Sequence, residues 1–176
     1  MKKISFFIIL FLCIIENSFS QNIVYANLDK IIKTSIAGKN ITSFFNKKNE
    51  ELIKKIKNDE KLIREKEEKI ISQKNILETN EFDKKIKNLS EEIKIFNNEN
   101  KKQLNDINLQ RDEVTKSFII EINKILKEFA ETNKIDIILS SNQMLIGKSN
   151  LDVTSDLLKV VDDKIRKFEI KKWQID

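Results

Sequence analysis

The sequence predicts a mainly α protein with a small β part, in which a long antiparallel helical hairpin forms a coiled-coil arm. The arm is attached to a small β body that we expect oligomerisation to complete. Three observations predict this class. About a hundred residues, from Lys39 to Leu145, contain no glycine or proline. Apolar residues recur at helical spacing along this stretch, and short β-prone segments flank it on both sides.

The first twenty residues have the pattern of a secretory signal peptide. Lys2 and Lys3 precede an uncharged run from Ile4 to Ile15, and Ser18-Phe19-Ser20 follows as a small-x-small cleavage pattern. The run is shorter than the roughly 20 apolar residues of a membrane-spanning helix. We therefore expect residues 1–20 to be removed by cleavage after Ser20 and the mature chain to be exported.

The composition of the mature chain excludes several functional classes. Removing 20 of the 176 residues leaves 156 residues with no cysteine, so a disulfide cannot stabilise them. They carry 31 basic and 27 acidic residues, and this net charge of +4 permits weak contact with an anionic membrane surface but predicts no nucleic-acid partner. Histidine and a phosphate-binding glycine loop are also lacking. We expect no catalytic, cofactor or metal site.

The mature chain opens with a β-prone segment, Ile23 to Leu28, followed by a helix. Gly38 interrupts this early helix at a cost of about 1 kcal/mol relative to alanine. Two interpretations are equally good: a bend or close packing contact where the body meets the arm, or a tolerated surface glycine. Residues 21–38 are assigned to the body, together with residues 134–166.

The arm is predicted to occupy residues 39–133. Its first helix should run from Asn40 to about Leu77, with a column of apolar residues every seven positions: Ile56, Ile63, Ile70 and Leu77. The companion column is polar, since it consists of Asp59, Lys66 and Gln73. Such a helix can pair with a neighbour but cannot be fully buried.

The apolar period breaks near residues 78–81, which predicts the tip of the hairpin. It restarts at Phe82 and continues through Ile86 and Ile93. Polar residues also interrupt the apolar face of this second helix, at the positions expected to contact the first helix: Asn100, Gln103 and Arg111. Helices of roughly 40 to 50 residues would be about 60 to 75 Å long.

After the arm, the sequence predicts a β-hairpin and a last helix. Its strands would be Ile135 to Leu139 and Gln143 to Ile146, with a turn between them, and Thr154 would cap the helix. Residues 167–176 read as a C-terminal tail. Three short strands and two short helices form too small a core for independent stability, so we expect an oligomer.

The order of these parts resembles the Skp/OmpH family of periplasmic chaperones. The segments that carry the resemblance, around the helical hairpin, are Ile23-Val24-Tyr25-Ala26-Asn27, Gly38-Lys39, Ile135-Asp136-Ile137-Ile138-Leu139, Met144-Leu145-Ile146 and Leu151-Asp152-Val153-Thr154. Gly147-Lys148-Ser149 departs from the family, since many relatives have an aromatic residue there.

The resemblance implies a homotrimer in which three subunits share a β-barrel-like body. Three helical arms would surround a cavity that holds unfolded outer-membrane proteins. It thus implies an ATP-independent holdase that prevents their aggregation before membrane insertion. A lipopolysaccharide site described for the family depends on clustered basic residues, and none is assigned here. The alternative is a structural coiled-coil adaptor or spacer of the cell envelope.

Two sets of site residues follow as expectations. Residues that would contact clients, or else hold the two arm helices together, are Ile56, Ile63, Ile70, Leu77, Phe82, Ile86 and Ile93. Residues of the assembly body are Val24, Tyr25, Ile137, Leu139, Leu145, Asp152 and Thr154.

Overall fold

The computed structural model describes residues 21–166 and Phe168. The predicted leader lies outside the described residues, as does the predicted tail apart from Phe168. Within the described residues, no helix is both long enough and apolar enough to cross a membrane.

Two long helices dominate the molecule. The elements in chain order are β1 (Ile23–Ala26), α1 (Leu28–Thr34), α2 (Ile36–Ser72), α3 (Thr79–Thr132), β2 (Ile137–Ser140) and α4 (Thr154–Lys164), with 3₁₀ turns at Ser141–Gln143 and Ser149–Leu151. Helices α2 and α3 pack against each other as an antiparallel pair, and the other elements gather at one end. The predicted fold class, a long helical hairpin on a small β part, is confirmed.

The sheet joins the two segments that flank the arm. Strands β1 and β2 pair in parallel, with Ile23 opposite Ile137 and Ala26 opposite Ser140. The arm makes this possible, because it carries the chain out and back between the two strands. Next to the pair of Ile23 and Ile137, the Asn22 amide donates to a carboxylate oxygen of Asp136 at 2.7 Å. The body is thus built from both flanks of the arm.

The predicted β-hairpin after the arm is wrong. Of the two expected strands, only residues 137–139 lie in a strand, and the described sheet has two strands rather than three. A 3₁₀ turn follows at once, in which the Met144 amide donates to the Ser141 carbonyl at 3.3 Å. The chain therefore turns before residues 143–146 can pair with β2. The backbone hydrogen bonds of β2 go to β1 instead.

The tip of the arm lies a few residues earlier than the break in apolar period indicated. Helix α2 ends at Ser72 rather than near Leu77. The carbonyl of Gln73 accepts hydrogen bonds from the amides of Ile76 and Leu77, both at 3.0 Å, which turns the chain before α3 begins at Thr79. Leu77 therefore lies in the turn, outside both arm helices.

A sharp joint separates α1 from α2, and it lies at Ser35 rather than at Gly38. Ser35 is fully buried and its hydroxyl oxygen accepts from the Gly38 amide at 3.1 Å. Gly38 is itself a close packing contact, because a Cβ there would lie 1.6 Å from the carbonyl oxygen of Ile32. Across the joint, the Ile36 amide donates to Asp162 of α4 at 2.7 Å. The joint therefore fixes the direction in which the arm leaves the body.

The hydrophobic core lies in the body and the adjoining base of the arm. Phe45 of α2 and Phe118 of α3 are almost fully buried, and Leu157 and Val161 of α4 pack into the same cluster. The cluster reaches along the arm to Leu52. Beyond that level, the arm has no comparable core.

Candidate functional site

The two arm helices enclose buried apolar side chains at the base of the arm, whereas towards the tip several of the side chains between them are polar and accessible to solvent. Phe45 and Leu52 are buried, but the same seven-residue column continues as Asp59, Lys66 and Gln73, which are partly or largely exposed. The boundary lies beyond Leu52, on the tip side of Arg111 of α3. The guanidinium carbon of Arg111 lies 5.7 Å from the centroid of the Phe45 ring.

Three polar pairs across the arm share one register, and a fourth, in which Arg111 donates to Asn46 at 3.2 Å, is offset by one residue. Lys48 donates to Gln110 at 2.8 Å, Lys66 forms an ion pair with Glu92, and Lys85 donates to Gln73 at 2.8 Å. In each of these three pairs the residue numbers add up to 158 (48 and 110, 66 and 92, 73 and 85). Successive pairs are 18 and 7 residues apart, close to whole numbers of helical turns, so they lie on one side of the arm. We call them the polar rungs.

The predicted client-contact residues occupy different environments. Ile56 packs against the core, whereas Ile63 and Ile70 line grooves between the two helices. Ile86 is exposed. Leu77, Phe82 and Ile93 are partly buried. The structure thus brings only Ile63 and Ile70 to grooves, and whether any of the seven contacts a client stays a prediction.

Sequence reasoning missed several apolar side chains of the arm that are exposed to solvent. Those exposed by a third or more, besides Ile86, are Ile53, Leu62, Ile71, Ile76, Ile95, Leu104, Leu109 and Ile120. The signal was present in the sequence, because these residues fall outside the apolar column that faces the partner helix. They interrupt a surface that is otherwise rich in charged residues.

A cleft between the arm helices has a volume of about 530 Å³, and we call it the distal groove. Its apolar walls are Leu62 and Ile63 of α2 and Ile95 and Phe96 of α3. A second cleft of about 300 Å³ continues towards the tip and shares Lys66, Lys69 and Glu92 with it. Because the contact between the two helices is partly polar in this part of the arm, apolar surface between them stays accessible to solvent.

A basic groove lies on α2 near the body. Lys33, Lys39 and Lys47 line it together with Glu50, around a volume of about 450 Å³. The sequence did not reveal this cluster. The three lysines become neighbours only because α1 and α2 meet at the Ser35 joint. The groove carries an excess of positive charge, which is the sign that attracts anionic surfaces.

In the body, the Asp152 carboxylate joins the last helix to β1. It accepts hydrogen bonds from the Thr154 hydroxyl and from the Thr154 amide at 2.9 Å, and these bonds lower the pKa of Asp152. The Thr154 hydroxyl oxygen in turn accepts from the Asn27 amide at 2.9 Å. The sequence predicts Thr154 as the N-cap of the last helix. In the structure Val153 is the N-cap and Thr154 is the first residue of α4.

The predicted assembly residues divide into two groups. Val24 and Thr154 are buried within the single chain, and Tyr25 is half-buried. The side chains of Ile137 and Leu139 are each 43% exposed, and Leu145 is fully exposed. The first group belongs to the chain's own core. The second group and Ile146 are exposed apolar residues that belong to β2 or follow it in the chain, and among the described residues the outer edge of β2 is unpaired; we call these four residues the β2 face.

Among the described residues, no group of three or more His, Cys, Asp or Glu side chains is arranged to hold a metal ion. The three clefts are lined by apolar, charged and neutral polar side chains, which offer apolar contact, charge and hydrogen bonds.

Comparisons with known proteins agree with this architecture. No curated protein matches the chain significantly in sequence. A crystal structure from Caulobacter crescentus CB15, described as a candidate outer membrane chaperone (OmpH-like), matches with a TM-score of 0.80 and 9% sequence identity. The match covers 84% of this chain and 88% of that chain, and at this identity it shows a shared fold. The family model for outer membrane protein (OmpH-like) matches residues 22–161, which is most of the chain, and the protein therefore belongs to the OmpH-like family.

Proposed function

We propose that this protein is an ATP-independent periplasmic holdase chaperone. It binds unfolded outer-membrane proteins and prevents their aggregation before they insert into the membrane. It is not an enzyme and it uses no cofactor. Family membership and the likeness to a candidate outer membrane chaperone support a chaperone role in general.

The observation that carries the proposal is the half-exposed apolar surface of the arm. Helix α3 has 54 residues, so it is about 81 Å long. Solvent-exposed leucines and isoleucines recur along the arm between charged residues. An unfolded chain can make many weak apolar and electrostatic contacts with such a surface, and these contacts are reversible without ATP.

We further propose that the mature chain works as a homotrimer. A two-stranded parallel sheet is rarely stable when exposed to solvent, and in the part of the chain that is described the outer edge of β2 is unpaired and the β2 face is exposed. Copies of the same chain would cover Ile137, Leu139 and Leu145. The arms of three copies would then surround a shared space for the client.

The basic groove at Lys33, Lys39 and Lys47 supports a weaker contact with anionic partners. The lysines would attract the phosphates of a membrane surface or of lipopolysaccharide, and salt would screen this attraction. No nucleic-acid partner is proposed.

An aggregation assay tests the function directly. The chain without residues 1–20 is mixed with several unrelated barrel proteins as they are diluted from urea, and light scattering is recorded. A holdase keeps all of them soluble at about one trimer per client. If it protected none of them, the holdase proposal would be wrong and the adaptor or spacer alternative would be favoured.

A further inference from the structure

The distal groove combines apolar walls with an excess of negative charge. The exposed fractions of Leu62 and Ile95 are 56% and 58%, so the groove presents large apolar side chains to solvent. Its ionisable lining consists of four acids, Asp59, Glu65, Glu92 and Glu99, and two lysines, Lys66 and Lys69. Glu92 is already paired with Lys66.

The polar rungs locate the unbalanced charge. The residue numbers of Asp59 and Glu99 also add up to 158. Each of the two residues lies 7 positions from the Lys66–Glu92 pair, and 11 positions from the Lys48–Gln110 pair, along its own helix. They therefore form a rung on the same side of the arm. The other three rungs each contain a lysine, whereas this one places two carboxylates opposite each other. Among the described residues, no lysine or arginine forms an ion pair with either of them.

We propose that the distal groove binds segments of unfolded protein in which a lysine or arginine neighbours a large apolar side chain. The cation completes the rung at Asp59 and Glu99, and the apolar side chain packs against Leu62, Ile63, Ile95 or Phe96. This inference rests on the proposed function, since it names the client segments that one part of the arm prefers.

Charge argues against an anionic occupant. Anionic lipids would be repelled by the excess of carboxylates.

The test measures peptide binding by fluorescence anisotropy at low salt, with the chain without residues 1–20. Three labelled peptides with Gly-Ser spacers are compared; they carry Leu–Lys pairs, Leu–Glu pairs or Ser–Lys pairs. The variant D59N/E99Q removes the charges of the rung at nearly constant shape. The control E67Q/E91Q removes two exposed charges that lie outside both clefts, eight residues or about 12 Å nearer the tip. Circular dichroism checks that both variants are folded.

We expect the wild type to bind the Leu–Lys peptide about fivefold more tightly than the Leu–Glu peptide, as two exposed charge pairs allow. It should also bind Leu–Lys more tightly than Ser–Lys, because only leucine packs against the apolar walls. D59N/E99Q should lose the preference over Leu–Glu, whereas E67Q/E91Q should keep it. Equal binding of all three peptides to the wild type would overturn the inference, as would equal losses in the two variants.

The aggregation assay, run in parallel, separates this inference from the proposed function. Protection of clients without a peptide preference would overturn the groove's specificity alone. A peptide preference that D59N/E99Q abolishes, in a protein that protects no client, would support the groove's chemistry and overturn the holdase function.

Discussion

At the scale of single residues, Asp152 connects the segments that flank the arm. It forms a parallel bridge with Tyr25 of β1, and its carboxylate accepts two hydrogen bonds from Thr154. The hydroxyl of Thr154 is the main cause of the lowered pKa of Asp152, followed by the Thr154 amide and the charge of Lys30, and burial opposes them. The carboxylate is therefore more stable in the folded chain than in the unfolded chain.

This lowered pKa predicts a loss of stability in acid. The contribution of Asp152 is present above its unfolded-state pKa of about 4 and disappears as the pH falls through the lower folded-state pKa. D152N should lower the free energy of unfolding at pH 7 by up to about 1 kcal/mol, because the site is exposed to solvent.

Urea denaturation at pH 7, 5 and 3 measures the effect. The difference between wild type and D152N should shrink at pH 3. The control is D156N, which removes an exposed carboxylate that is paired with Lys159. A difference for D152N that stayed constant down to pH 3 would show that the charge of Asp152 does not stabilise the fold.

At the scale of elements, the arm followed from the sequence and the sheet did not. The column Ile56, Ile63, Ile70 has a local seven-residue period, which a single helix displays without knowledge of its partner. The pairing of β1 with β2 joins residues 114 positions apart, such as Ile23 and Ile137, and no local pattern records it. Residues 143–146 are β-prone but follow a 3₁₀ turn, so propensity alone predicted a strand wrongly there.

The candidate site could also be predicted only in part from the sequence. Ile63 and Ile70 could be named from their period, but the Asp59–Glu99 rung could not. Which residues face each other across a hairpin depends on the length of the turn, and the structure places the end of α2 five residues before Leu77. A shift of even one residue would have placed different side chains opposite Asp59.

The joint between α1 and α2 predicts the effect of a mutation at Gly38. G38A would gain up to about 1 kcal/mol of helix propensity, but its Cβ would lie 1.6 Å from the Ile32 carbonyl oxygen. Because that atom belongs to the backbone, we expect a net loss of several kcal/mol, measured by thermal or urea denaturation. G147A is the comparison, since one of its two 2.7 Å contacts is to the flexible end of Met144. Equal losses for the two variants would contradict the importance of the joint.

At the scale of the whole molecule, the β2 face predicts how assembly fails. Leu139 is 43% exposed in the single chain, so L139D leaves its charge solvated in a monomer but would bury it in a trimer. We expect L139D to sediment as a folded, helical monomer, whereas E81A near the tip sediments as the wild type does. Trimers of both variants would show that β2 lies outside the interface.

The polar rungs also allow the arm to be shortened without loss of register. Deleting residues 59–72 and 86–99 removes two heptads from each helix, about 21 Å, and leaves Lys48 opposite Gln110 and Gln73 opposite Lys85. The body and the base of the core remain. We expect the trimer to persist while the capture of large clients falls, because the deletion removes the distal groove and several exposed apolar residues.

Sedimentation and the aggregation assay test this expectation together. Deleting residues 59–72 alone is the control, since it removes fewer groove residues but destroys the register, and it should lower stability as well as capture. The variant D59N/E99Q keeps the full length of the arm. It therefore measures how much the charges of Asp59 and Glu99 contribute to client capture, apart from the length of the arm. If the shortened trimer captured large clients as well as the wild type, the distal arm would not be their binding surface, and a spacer role for the arm would fit better.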